Sequence, residues 1–275
     1  MNKPSLAFAA IALGATPATP LSAQEAQNDA RTYLDRIAAI DDAGPELNAV
    51  IAVNRNAPDE ARVAEAAGLP LAGRTVLVKD NIETRELPTT AGSLALAGNN
   101  TGRDAPLIAN LRAAGGVVLG KTNLSEWANI RSNNSTSGWS AVGGLTRNPH
   151  AIDRNSCGSS SGSGAAVAAG FAWAAIGTET NGSITCPASI NGVVGSKPTV
   201  GMVSRTHVVP ISSTQDTAGP MARSVPDAVA LLNALPTLAT DPYLPAWQAV
   251  PLHVGLPNST EYCPDRQSEH MAVVA

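Results

Sequence analysis

The chemistry open to this chain begins with a lysine and a serine. Lys79 closes the aliphatic run Val76-Leu77-Val78, and an amine at the end of an apolar strand loses the hydration that its charged form needs. A free lysine titrates at about 10.4, whereas a desolvated one releases its proton nearer neutrality and can act as base to a hydroxyl nucleophile. The same position also suits a solvated strand terminus, and the lysine alone does not choose between the two. Ser183 adds information. It follows Thr180-Asn181-Gly182, a sequence able to form a tight turn whose successive N–H groups face one point and stabilise an oxyanion.

Other chemistries have weaker signals. A Ser-His-Asp triad would have to use His150, His207, His253 or His270, none of which sits in a recognisable motif. The nucleophile-elbow pattern G-x-S-x-G appears at Gly158-Ser159-Ser160-Ser161-Gly162, where a Gly/Ser-rich setting weakens it. A P-loop needs Gly-Lys-Ser/Thr after its glycines, and no lysine follows here. Cys157 with His150 is a further candidate nucleophile pair. Cys157, Cys186 and Cys263 match no zinc spacing, so neither a metal nor another cofactor is expected. An odd cysteine count makes no disulfide framework, although an oxidising compartment would allow one pair. Cys157 and Cys186 are read as packing residues. Ser160, Ser161 and Ser163 are read as hydrogen-bonding fillers and a helix cap.

The elements that must position these groups follow from periodicity. Ala30, Tyr33, Leu34, Ile37 and Ala38 recur at helical spacing, so a helix is expected over residues 30–40. Residues 48–54 read as a strand, ARVAEAAG as a helix and RTVLVKD as a buried strand. APLIANLRAAGG then reads as a helix ended by Gly115-Gly116, followed by the strand VVLGKT. This rhythm predicts an α/β domain built on a mixed, largely parallel sheet covered by helices on both faces. In such sheets active sites gather at strand ends and the loops after them.

Residues 129–162 form a long polar segment rich in Gly, Ser and Asn. Loops of this length in compact domains are usually functional or disordered. The Gly/Ser stretch CGSSSGSGAAVAAG (157–170) suggests a linker when read alone, but SGSGAAVAAGF is a small-residue helix expected from about Gly162, followed by the buried strand AWAAIGT. Ser224 is placed to cap a helix through VPDAVALLNAL.

The 275 residues are 44% hydrophobic and 15% charged, enough to bury a substantial core. A net charge of −4 gives no support for binding nucleic acid or anionic membranes, so a small molecule or a peptide is the expected partner. At the N-terminus one lysine precedes an apolar run from Leu6 to about Ala15, and Leu21-Ser22-Ala23 offers a cleavage site. Residues 1–23 are therefore expected to be an export signal, with the mature protein periplasmic or secreted. The apolar run is too short to span a bilayer.

The stretch CGSSSGSGAAVAAGFAWAAIGTETNGSITCPASINGVVGS, with VLVKDNIET before it and STQDTAGPMARSVPDA after it, resembles the amidase signature family. GKTNLSEWAN and SGWSAVGG make it most similar to the bacterial peptide amidases. The resemblance implies the amidase signature fold and a Ser, cis-Ser, Lys triad. Lys79 would be the base, Ser159 the bridging serine on a cis peptide bond, and Ser183 the nucleophile. Backbone N–H groups of Thr180, Asn181, Gly182 and Ser183 would receive the oxyanion, and Thr178 would brace the relay. The implied activity is hydrolysis of carboxylic acid amides, C-terminal peptide amides among them, to acid and ammonia. Asn181 stands where relatives carry Asp or Gly, which puts a side-chain contact to substrate in doubt but not a backbone one. Family members are longer, so residues 24–275 are expected to be the N-terminal part of an amidase signature domain with an incomplete sheet. Two alternatives follow from the same resemblance: an inactive, shortened member that binds amides without turnover, and an amidotransferase subunit that passes ammonia to an acyl-tRNA.

Overall fold

A computed structural model describes residues 24–236; the expected export signal, His253, His270 and Cys263 lie outside the described residues. The chain runs through α1 (Glu25–Ile40), β1 (Val50–Val53), α2 (Ala57–Ala66), β2 (Thr75–Lys79), α3 (Pro106–Ala113) and β3 (Val117–Thr122). Four short strands follow, β4 (Trp139–Ser140), β5 (Gly144–Leu145), β6 (Arg147–Asn148) and β7 (Ala151–Asn155), then α4 (Ser161–Ala168) and β8 (Ala174–Glu179). The described part closes with α5 (Thr185–Ile190), β9 (Val194–Gly195), β10 (Thr217–Ala222) and α6 (Val225–Ala234).

The main sheet has six strands in the order β1-β3-β2-β8-β10-β9. It is the mixed α/β sheet expected, but less parallel than the strand and helix rhythm suggested. β3, β2 and β8 are parallel neighbours, while β1 on one side and β10 and β9 on the other run antiparallel. The physical reason lies in the connections. A parallel neighbour needs a crossover, usually helical, and α3 supplies one between β2 and β3. The stretch from β9 to β10 contains no helix and returns the chain antiparallel.

Strand alternation sorts the core into two layers. Val76 and Val78 pack with Leu107, Ile108, Leu111 and Leu231, so α3 and α6 cover one face. Leu77 points the other way, to Ala165, Ala166, Phe171 and the alanines of α1 and α2. Each fully buried aliphatic side chain of this kind contributes roughly 1.5–3 kcal/mol relative to exposure. On that second face α4 is almost wholly buried, and its small residues allow close approach. A Cβ on Gly162 would collide with the Ala49 carbonyl oxygen and lie 2.6 Å from the backbone N and O of Asn123.

Local boundaries differ modestly from expectation. α1 begins at Glu25 rather than Ala30, and α2 begins at Ala57, where Pro58 suits a first turn. The long polar segment is ordered in part by two short hairpins, β4 pairing with β5 and β6 with β7. Ser224 caps α6 as expected, its hydroxyl accepting from the Asp227 amide at 3.3 Å.

Candidate active site

Lys79 ends β2 with its side chain on the face covered by α4, and it is fully buried. Its Nζ lies 2.8 Å from Ser159 Oγ, 2.8 Å from Thr178 Oγ1 and 3.1 Å from the Thr178 carbonyl oxygen. Burial holds the amine well below the ordinary lysine value of 10.5, at about 7, although the Glu179 and Asp216 carboxylates pull it upward. The solvated-terminus reading of Lys79 is thereby removed. The three oxygens around Nζ suit both protonation states. The ammonium can donate to all three, while the neutral amine can donate to the two Thr178 oxygens and turn its lone pair to the Ser159 hydroxyl.

Ser159 stands two residues before α4, where the Gly158–Ser159 peptide bond is cis. Its carbonyl oxygen accepts from the Ser125 amide at 3.1 Å. Gly158 has no room for a side chain, because a Cβ there would collide with Ser125 Oγ and lie 2.8 Å from Ser161 Oγ. Thr178, on β8, is fixed from a third side by Asn81 Nδ2, which donates to its hydroxyl at 2.9 Å. Ser183 comes to this group through the backbone: the Ser160 amide donates to the Ser183 carbonyl at 3.0 Å. The Ser183 side chain is half-buried.

The turn that leads to α5 is organised by a carboxylate. Glu179 Oε2 accepts from the amides of Ile184 at 2.7 Å and Thr185 at 2.9 Å. Burial raises the Glu179 carboxyl, but the amides of Thr185, Ile184 and Gly182 outweigh it and hold the group below its ordinary value. Of the four amides expected to face an oxyanion, that of Gly182 is thus already turned toward Glu179. Thr180 is anchored separately, its hydroxyl donating to Asp216 Oδ1 at 2.6 Å and its carbonyl accepting from Lys197 Nζ at 2.5 Å. Asn181 is exposed.

The remaining serines and the rival nucleophiles have other partners. Ser160 Oγ donates to the Thr178 carbonyl at 3.1 Å and accepts from the Thr178 amide at 3.2 Å, tying α4 to β8 instead of capping its own helix. Ser163 Oγ pairs with Thr122 Oγ1 at 2.7 Å. Cys157 is bonded to Cys186, with Cα atoms 6.0 Å apart. This corrects the packing reading of both cysteines and removes Cys157 as a partner for His150, whose Nε2 meets the Asn191 carbonyl at 2.9 Å. His207 lies beside Glu83 at 3.9 Å.

Sequence reasoning left a second buried lysine unassigned. Lys121, in β3, pairs with Asp80 at 3.2 Å and donates to the Ile82 carbonyl at 2.7 Å and Thr89 Oγ1 at 2.9 Å. Burial pushes the Lys121 amine down and the Asp80 carboxyl up, and their mutual attraction opposes both shifts. The pair pins the loop that carries Asn81. The signal for it was present in VVLGKT, where a lysine follows an apolar strand much as Lys79 does.

A family model described as Amidase matches residues 30–262. This chain belongs to the amidase family. Among solved amidases, it is 51% identical to the native peptide amidase of Stenotrophomonas maltophilia, with a TM-score of 0.76 over 83% of this chain and 52% of that one. It is 48% identical over 212 residues to a probable amidase of Arabidopsis thaliana, covering 74% of this chain and 41% of the relative. It is 44% identical over 206 residues to a glutamyl-tRNA(Gln) amidotransferase subunit of Thermus thermophilus, covering 75% and 42%. The chain therefore spans about two fifths of these curated amidase-family relatives.

Proposed function

We propose that this chain hydrolyses carboxylic acid amides to the acid and ammonia, with Ser183 as nucleophile, Ser159 as proton carrier and Lys79 as base. The observation that carries the reading is the buried Lys79 amine 2.8 Å from Ser159 Oγ, with the turn bearing Ser183 held against the same segment. As Ser183 Oγ attacks the amide carbon, its proton passes to Ser159 Oγ while Ser159 gives its own to Lys79 Nζ. The new ammonium is met by the Ser159 hydroxyl and both Thr178 oxygens. Of the turn's backbone amides, those of Thr180, Asn181 and Ser183 stabilise the oxyanion, the Gly182 amide being turned to Glu179. Collapse of the tetrahedral species breaks the C–N bond, and the Lys79 proton returns through Ser159 to the leaving nitrogen, which departs as ammonia. Water then attacks the Ser183 ester by the same relay in reverse and frees the acid.

The likeness to a peptide amidase supports C-terminal peptide amides as the substrate class. For residues 1–23 we propose export, which the N-terminal pattern supports and with which the Cys157–Cys186 disulfide agrees, since such bonds persist in oxidising compartments. Residues 24–275 incubated with a panel of peptide and simple amides should release ammonia at a rate that falls to background in Ser183→Ala. Equal release from both proteins would refute hydrolysis, and tight amide binding without turnover would favour the shortened binding module.

A further inference from the structure

We infer that the Cys157–Cys186 disulfide is a positioning element of the proposed relay, holding the turn that bears Ser159 against the start of α5 so that Ser159 stays between Lys79 and Ser183. The inference rests on the relay proposed above. Its ground is that the contacts fixing each serine run to the sheet, and few run directly from one serine's segment to the other's. Ser159 is fixed from the sheet side, by Lys79 Nζ on its hydroxyl at 2.8 Å and the Ser125 amide on its carbonyl at 3.1 Å. Ser183 belongs to a turn fixed by the Glu179 carboxylate at the end of β8, through the amides of Ile184 and Thr185. Ser160, beside Ser159, is tied to Thr178, so both turns are held to neighbouring residues of β8 without a direct bond between the two serine side chains in either set.

Two hydrogen bonds and one covalent link join the segments. The Ser160 amide donates to the Ser183 carbonyl at 3.0 Å, and Asn191 Nδ2 donates to the Ser156 carbonyl at 2.9 Å. The disulfide, across a sequence separation of 29, holds the Cα atoms 6.0 Å apart. Cys157 lies just before Ser159 and Cys186 just after Ser183, so the bond straddles the gap that the proton must cross. Proton transfer needs heavy atoms about 2.6–3.2 Å apart, and a misplacement of about 1 Å is costly.

Both cysteines are half-buried, so a dithiol reductant can reach the bond. One reductant thiolate attacks a cysteine sulfur, the S–S bond breaks, and the second reductant thiol resolves the mixed disulfide. Two protein thiols and one oxidised reductant result. On this inference such exchange slows the relay without unfolding the chain.

The test compares oxidised protein, dithiothreitol-reduced protein and Cys157→Ser/Cys186→Ser. The expected result is a kcat lower by about tenfold or more with KM within about twofold, a cooperative unfolding transition retained in all three, and recovery on reoxidation of the wild type. Amide exchange should quicken at Ser160 and stay unchanged in β2 and β8. Unchanged kcat with unchanged Ser160 exchange overturns the inference. So does faster exchange across the whole sheet or loss of cooperative unfolding, either of which makes the bond a general staple of the fold. If the oxidised wild type shows no Ser183-dependent ammonia release, the hydrolase reading fails on its own, and Ser160 exchange still decides whether the bond positions the turn.

Discussion

Replacing Lys79 with methionine isolates the electrostatic cost of a buried amine from everything else the side chain does. In the folded chain Lys79 titrates at about 7, against an ordinary value of 10.5, because burial disfavours its charged form. Between those values the unfolded chain holds more protons than the folded one, so stability rises with pH across that window. The penalty is fully present below about pH 7 and is relieved as the pH climbs toward the unfolded value. Integrated over the two titrations, it amounts to about 4 kcal/mol at pH 7 and about 1.5 kcal/mol at pH 9.5. Lys79→Met carries no such term. Its lost hydrogen bonds to Ser159 and Thr178 enter as a nearly constant offset, which cancels when the two pH values are compared. Urea unfolding of both proteins should therefore show the difference between them moving by about 3 kcal/mol in favour of the wild type from pH 7 to pH 9.5. A difference that stays constant across that range would refute the reasoning, because Lys79 would then keep an ordinary affinity for its proton and could not serve as a neutral base.

Further outcomes follow from the same geometry. The log of kcat/KM for amide hydrolysis should fall with a slope of about one below pH 7, as Lys79 takes up the proton it must accept, and a flat acid limb in a pH-rate profile would contradict this. Thr178→Val removes an acceptor shared by Lys79 and Asn81. It should cost about 1–3 kcal/mol in chemical denaturation and shift that acid limb to lower pH, since the ammonium loses a partner. Lys121→Met leaves Asp80 buried without its counter-ion and should cost about 3–5 kcal/mol, with Asp80→Asn in the same chain recovering part of the loss.

Much of the site was legible because it sits in short, contiguous patterns. An apolar strand ending in lysine and a serine after a polar turn mark Lys79 and Ser183 as candidates, but their link through Ser159 was implied by the family resemblance and not by spacing. The helices and parallel strands were equally open to reading, since α3 buries Leu107, Ile108 and Leu111 at helical spacing and β2 and β3 are short runs buried at every position. What stayed hidden depends on contacts between distant segments. Cys157 and Cys186 show their pairing only once α5 folds back beside the Ser159 turn. Nothing in the sequence singles out Glu179, and only the fold reveals that its carboxylate gathers the amides at the start of α5. The antiparallel course of β10 was hidden for another reason: residues 196–216 contain no periodic element that would announce the direction of return.

The two buried lysines show how little separates a working group from a supporting one. Lys79 and Lys121 lie near the ends of adjacent parallel strands and project from opposite faces of the same sheet. One meets a carboxylate in direct contact; the other meets hydroxyls and a carbonyl. Attraction to the contacting Asp80 opposes the burial that pushes the Lys121 amine down, whereas Lys79 has no carboxylate within contact distance among its hydrogen-bond partners. The contrast between the two amines thus rests on the neighbour each has been given: a carboxylate ties Lys121 to the loop after β2, and hydroxyls leave the proposed base beside a group that can pass a proton.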